Sequence, residues 1–164
     1  MISKKIEKSI NDQIQNEFYA SYLYLAMSAY CESINFPGFA HWMRHQSQEE
    51  TEHAMRLFDY LNSRGGKVIL QAIKKPSMTF RSALDMFQQA LKHEQAVTKS
   101  IHDLYSLAQK DKDYPTAVEL QWFISEQVEE EKTSGDIVGR IKSIGRDATA
   151  LYLMDRDLGS RTAE

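Results

Sequence analysis

Gly65-Gly66-Lys67-Val68-Ile69-Leu70-Gln71-Ala72-Ile73-Lys74-Lys75-Pro76-Ser77-Met78 is the one long connection in a chain otherwise built from helix formers. At ~3.3 Å per residue, fourteen or so residues span ~46 Å. A loop of that length carrying Val68, Ile69, Leu70 and Ile73 is out of place as a free surface excursion of a compact domain. It suits a crossover that runs the whole length of a helical bundle.

The remaining breaks lie outward from it. Arg64-Gly65-Gly66 reads as a helix end with glycine in the left-handed position. Lys75-Pro76-Ser77 interrupts the next run, with Ser77 or Thr79 available as an N-cap. Asn35-Phe36-Pro37-Gly38 and Lys112-Asp113-Tyr114-Pro115 are turns with proline near a helix start, and Gly145-Arg146-Asp147 sets off a short tail. The pattern predicts helices over about 3–32, 38–64, 80–111 and 114–144, with a short fifth over about 147–159. Each long helix measures roughly 40–48 Å and must bury its apolar stripe in a bundle. The expected fold is all-α: a four-helix bundle with the crossover between helices 2 and 3.

Composition bounds the rest. At 164 residues the chain is expected to form a single domain, 1–164, with a core of its own. Seven glycines and three prolines are too few for a turn-rich β fold. One cysteine excludes a disulfide framework, a cysteine-rich zinc site and an iron–sulfur cluster. A net charge of −3 argues against nucleic acid as a partner. No apolar run is long enough to span a membrane, and the N-terminus turns polar at once, so the expectation is a cytoplasmic protein without a membrane partner.

Alternating spacings of three and four trace one face of each helix. Helix 1 gives Ile6, Ile10, Gln13, Glu17, Ala20, Tyr24, Met27 and Cys31. Helix 2 gives Phe39, Met43, Gln46, Glu50, His53, Leu57 and Tyr60. Helix 3 gives Phe80, Leu84, Phe87, Leu91, Glu94, Thr98, Ile101 and Tyr105. Helix 4 gives Leu120, Phe123, Gln127, Glu130, Ser134, Ile137, Ile141 and Ile144. Every stripe carries one carboxylate, and every carboxylate stands near its helix midpoint. Packed helices of equal length share a middle layer, so Glu17, Glu50, Glu94, Glu130 and His53 are expected together inside an apolar bundle. The stripes hold no Lys or Arg at that depth. Unpaired buried charge is costly. The acids are therefore either protonated or held around cations, and two divalent metals would balance four carboxylates.

Singly, a helical glutamate is usually solvated, and Glu49, Glu52, Glu129 and Glu131 fit that description. His41, His45, His93 and His102 read as surface or packing residues, and Cys31 as a small buried apolar group. Carboxylate oxygens with one imidazole suit iron or manganese better than zinc or copper. Glu50 and His53, at i and i+3, form a Glu-x-x-His pair that points both groups inward. A metal-free scaffold with protonated acids, or a di-iron redox enzyme acting on a small substrate, would share these residues.

The chain resembles the haem-free ferritins of bacteria and archaea. The matching strings are Glu17 with Tyr24, Gln48-Glu49-Glu50-Thr51-Glu52-His53-Ala54, His93-Glu94, and Leu120-Gln121-Trp122-Phe123 leading into Ser125-Glu126-Gln127-Val128-Glu129-Glu130-Glu131. The likeness extends over essentially the whole chain. It implies iron storage with ferroxidase activity: Fe(II) oxidised by O₂ or H₂O₂ and stored as hydrated oxide in a hollow cage of 24 chains. It further implies that Glu17, Glu50 and His53 hold a first iron. Glu50 would bridge to a second, completed by Glu94 and Glu130 with Gln127 beside it. Glu49, Glu126 and Glu129, with Glu130, would form a third site. Tyr24 would sit against the centre as a hydrogen-bonding and electron-donating group. Haem is not expected, because Thr51 stands where bacterioferritins place the haem-ligating methionine. Helix 4 lacks a second Glu-x-x-His, and paired cysteines of a rubrerythrin are absent. The acids lining the threefold pores of animal ferritins are replaced at the matching positions by Ala117 and Leu120. Phe36, Trp42, Leu151, Tyr152 and Met154 are candidates for contacts between subunits.

Overall fold

A computed structural model describes residues 2–161. Five helices follow one another: α1 Lys4–Ser33, α2 Pro37–Ser63, α3 Ala83–Lys110, α4 Tyr114–Ile144 and α5 Ala148–Leu158. No strand occurs among the described residues, and the expected all-α four-helix bundle with a short fifth helix is what forms.

Short links make α1 and α2 antiparallel. Ser21 Oγ bonds the Ser47 carbonyl at 2.7 Å, and Ser28 Oγ bonds the Ala40 carbonyl at 2.8 Å, so positions climb on one helix as they fall on the other. The segment between α2 and α3 then returns along α1. Lys67 N donates to Glu7 Oε2 (3.1 Å), Ile69 N donates to Asn11 Oδ1 (2.7 Å), and Gln71 Nε2 donates to Asp12 Oδ1 (3.0 Å). At the far end Phe80 packs on Tyr30, ring centroids 5.0 Å apart. From Glu7 to Tyr30 is ~35 Å of helix, and thirteen or so extended residues reach ~43 Å. The crossover is therefore nearly straight, and the long helices run up, down, down, up.

Helix ends are closed by the residues the sequence supplies. Ser3, Asp113 and Asp147 cap α1, α4 and α5 through their side chains. Gly65 follows α2 at φ 68°, the left-handed conformation expected of it. Two expectations are corrected. Helix α3 begins at Ala83 rather than near 80, capped by Ser82 Oγ and not by Ser77 or Thr79. Its core line is also rotated: Phe87, Ala90, Glu94, Val97, Ile101 and Leu104 are buried, whereas Leu84, Leu91, Thr98 and Tyr105 lie half-buried at its edge.

Helix α2 has no cap of its own. Asp155 of α5 supplies one, accepting from Gly38 N (3.1 Å) and Phe39 N (2.7 Å) while itself buried. A carboxylate there also meets the positive end of the α2 dipole. Gly38 is required, since a Cβ would fall 1.8 Å from the Asp155 carbonyl oxygen.

The core divides in two. One apolar cluster gathers Tyr24, Met27, Cys31, Phe39, Trp42, Met43, Phe87 and Ile137, and the other Ile6, Ile10, Ile14, Leu57, Leu61, Ile101, Leu120 and Phe123. Between them lies a slab of buried polar side chains from all four long helices. Trp42 and Met154, expected at subunit contacts, belong to the core instead. Phe36 and Leu151 are half-buried, and only Tyr152 of that group is exposed. Ala117 and Leu120 are also core residues and line no pore.

Candidate metal centre

Each of the four mid-helix glutamates ends in the polar slab. Glu17, Glu50, Glu94 and Glu130 are exposed by 1%, 1%, 0% and 6%, and His53 by 5%. Among the ion pairs of the described residues, none joins a Lys or Arg to any of these four carboxylates. Four acids therefore share a low-dielectric space without a Lys or Arg partner, and the base beside them is the His53 imidazole.

The geometry groups them. Glu17, Glu50 and His53 each bring a ligand atom to within 4.8 Å of the other two. His53, Glu126 and Glu130 form a second such group. His53 belongs to both, with Nδ1 3.4 Å from Glu50 Oε2 and Nε2 3.9 Å from Glu126 Oε1. Glu17 Oε2 and Glu50 Oε2 are buried without a hydrogen-bond partner. Buried carboxylate oxygens are seldom left so, and an orphaned pair facing an imidazole is a place built for a cation.

Amides and hydroxyls orient the remaining oxygens. Gln13 Nε2 donates to Glu17 Oε1 at 2.8 Å, and Gln46 Nε2 donates to Glu130 Oε2 at 2.8 Å. Gln127 Nε2 donates to Glu94 Oε2 at 3.2 Å, and the Tyr24 hydroxyl donates to Glu94 Oε1. These bonds occupy one oxygen of Glu17 and one of Glu130 and leave the other oriented. Trp122 and Phe123 wall His53 with edge-on rings 5.4 and 6.1 Å away.

Burial dominates the proton affinities. It raises Glu17 despite the Gln13 bond, and it raises Glu50 far above the usual range, helped by repulsion from Glu94, Glu17 and Glu130. Glu94 is pushed to about 7 against the pull of its Tyr24 and Gln127 bonds. Glu130 is pushed to about 8, first by burial and then by Glu94 and Glu49. The Tyr24 phenol is held well above its ordinary 10, so it stays protonated and donates. Cys31, against Met86 and raised to about 12, is the inert buried thiol expected.

A cavity of about 460 Å³ opens beside the slab, lined among others by Glu49, Glu52, His53, Trp122 and Glu126. It brings a carboxylate-rich surface up to His53. Of the residues expected at a third site, Glu126 and Glu130 are brought together. Glu129 is exposed and outside both groups. Glu49 is paired with Arg161, one guanidinium nitrogen lying 2.8 Å from each of its oxygens. Gln13 and Gln46 were visible as polar residues on apolar stripes, one turn before Glu17 and Glu50, though no role attached to them. Arg161 carried no sequence signal, since its partners lie more than a hundred residues away.

The ferritin-like domain family matches residues 7–144. The chain belongs to the ferritin family. It is 39% identical over 162 residues to the bacterial non-heme ferritin of Staphylococcus aureus, covering 99% of this chain and 98% of that one. The Staphylococcus haemolyticus bacterial non-heme ferritin is 40% identical over the same span. Among solved structures, an open pore ferritin from the hyperthermophilic archaeon Archaeoglobus fulgidus superposes with a TM-score of 0.98 at 44% identity, covering 99% of this chain and 100% of that one. An engineered closed form of that ferritin gives 0.99 at 44% identity, with both chains covered completely. Ferritins are iron-storage proteins with ferroxidase activity that work as cages, and this chain has that function and assembles with its own kind. No helix among the described residues is long and apolar enough to cross a membrane.

Proposed function

We propose that Glu17, Glu50 and His53 hold one Fe(II) and that Glu50, Glu94 and Glu130 hold a second, with Gln127 beside it. The observation that carries this reading is the orphaned pair Glu17 Oε2 and Glu50 Oε2, facing His53 in a slab without a Lys or Arg partner. Two Fe(II) bring four positive charges to four carboxylates and displace the protons that burial keeps on them. O₂ or H₂O₂ then takes one electron from each iron. The site is left with two excess charges, which favour loss of protons from iron-bound water. Tyr24, protonated and bonded to Glu94, holds that carboxylate in place and can donate a further electron. Hydrolysed Fe(III) leaves past a third stop, formed by Glu49, Glu126 and Glu129 with Glu130, into the cavity that Glu49 and Glu126 line.

The whole chain acts as one domain, and 24 copies enclose the mineral. Exposed apolar side chains support such burial on partners: Tyr22 and Leu25 on α1, with Ile69, Leu70 and Ile73 on the crossover. Haem plays no part, and the ferritin works in the cytoplasm.

The test is Fe(II) added stepwise to metal-free protein in air. Tens to hundreds of irons per chain, in a particle far heavier than 18.9 kDa, are expected. Glu50→Ala, which removes a ligand of both irons, should slow oxidation at least a hundredfold with the helices intact. Oxidation at the wild-type rate in Glu50→Ala would overturn the ligand assignment.

A further inference from the structure

We infer that Arg161 is a tethered cation seated in the Glu49 arm of the third iron stop, so that iron reaching that arm must displace it. The inference rests on the third-site reading above.

Arg161 lies three residues beyond the last residue of α5, and one face of α2 receives it. One guanidinium nitrogen lies 2.8 Å from both Glu49 oxygens, and the other donates to Gln46 Oε1. The guanidinium stands over the Trp42 ring, 5.3 Å from its centroid. The Arg161 carbonyl accepts from His41 Nε2 at 2.9 Å. Four side chains, His41, Trp42, Gln46 and Glu49, thus form a cradle for one residue. Flat, delocalised charge over an indole and against a carboxylate is what guanidinium binds best.

The cradle is wired to the centre. The bond from Arg161 fixes the Gln46 amide so that its nitrogen faces Glu130 Oε2 at 2.8 Å. Glu130 in turn stands beside Glu126 and His53. One arginine therefore neutralises an acid on the way out and orients the amide that holds an iron ligand. While it stays, Glu49 is not free to take a metal. When a trivalent ion arrives, its higher charge outcompetes a single guanidinium for the carboxylate. Iron traffic is thereby gated at this point by Arg161.

Zn²⁺, which cannot be oxidised, is the probe, titrated without O₂ into the assembled metal-free full chain. In the wild type the first two ions should bind tightly and a third weakly. Arg161→Gln should tighten the third roughly tenfold, the scale of losing charge-assisted hydrogen bonds to the competing cation, and leave the ion at Glu17, Glu50 and His53 unchanged, while the ion that shares Glu130 loses some affinity with the Gln46 orientation. Arg161→Lys should fall between, because it keeps charge but not the planar fork. Adding Glu49→Gln to Arg161→Gln should erase the gain. A third-ion affinity equal in wild type and Arg161→Gln, with the first two ions bound and the particle intact, overturns the inference. Failure of the wild type to bind even the first two ions would overturn the ligand reading on which it rests.

Discussion

Glu130 and Glu94 hold their protons up to about pH 8 and about pH 7 because burial disfavours the ionised form and neighbouring acids repel it. Unfolded carboxyls titrate near 4.5, so between that value and 7–8 the folded, metal-free chain binds more protons than the unfolded one. Its stability must fall as pH rises through that window. His93 acts the other way at lower pH. Burial depresses it to about 4, so its contribution grows as pH rises towards 6.5 and then stops. Asp85 and Asp113, held low by Arg81 and Arg64, are ionised throughout and add no slope. From pH 6.5 to 8 His93 no longer contributes, and denaturant titration of the metal-free protein should show a loss of about 1–2 kcal/mol from Glu130, with Glu94 and Glu50 adding to it. Glu130→Gln keeps the shape and the bond from Gln46 without the charge. It should reduce that slope, leaving the part due to Glu94 and Glu50, and stabilise the metal-free form at pH 8, while weakening the second metal. Destabilisation at pH 8 would mean that the acid is satisfied as an anion.

At the scale of elements, the long helices were legible because their stripes are regular and their breaks carry proline and glycine. The start of α3 was less so. Ser77, Thr79 and Ser82 can each cap a helix, and only the length the crossover needs to reach Tyr30 with Phe80 selects the last. The mid-layer acids could be placed from spacing and depth alone, since one carboxylate per stripe at the midpoint has few other arrangements. The Asp155 cap and the Arg161 cradle could not, because both join α5 to α2 across more than a hundred residues and no local period marks them. Docking of α5 is accordingly a tertiary property with one steric key. Gly38→Ala would drive a Cβ into the Asp155 carbonyl. The expected cost is about 1–3 kcal/mol with α5 released, seen as faster amide exchange over Ala148–Leu158 and no change in the four long helices. Unchanged exchange in α5 would show that the contact is dispensable.

For the whole molecule, two of the five residues the sequence offered for subunit contacts proved to be ordinary packing within the chain. Trp42 and Met154 fill the upper core, where α5 folds back on α2. Besides others on α4 and α5 such as Val118, Val128 and Tyr152, exposed apolar side chains include a run along α1 and the crossover, at Tyr22, Leu25, Ile69, Leu70 and Ile73. Neither polarity nor period distinguishes these from core residues until the crossover is laid along α1. Leu70→Glu with Ile73→Glu should leave the helical content unchanged and shift sedimentation from a large particle to small species. A full-sized particle would move the interface elsewhere.

The centre itself is tested most directly by anaerobic titration of Fe(II) into the metal-free protein at pH 7, following both ions bound and protons released. The account predicts two tightly bound ions per chain and a release of protons from Glu50, Glu94 and Glu130, with both signals abolished in Glu50→Ala. No tight uptake, or uptake of two ions with no protons released, would contradict four buried acids waiting for a pair of irons.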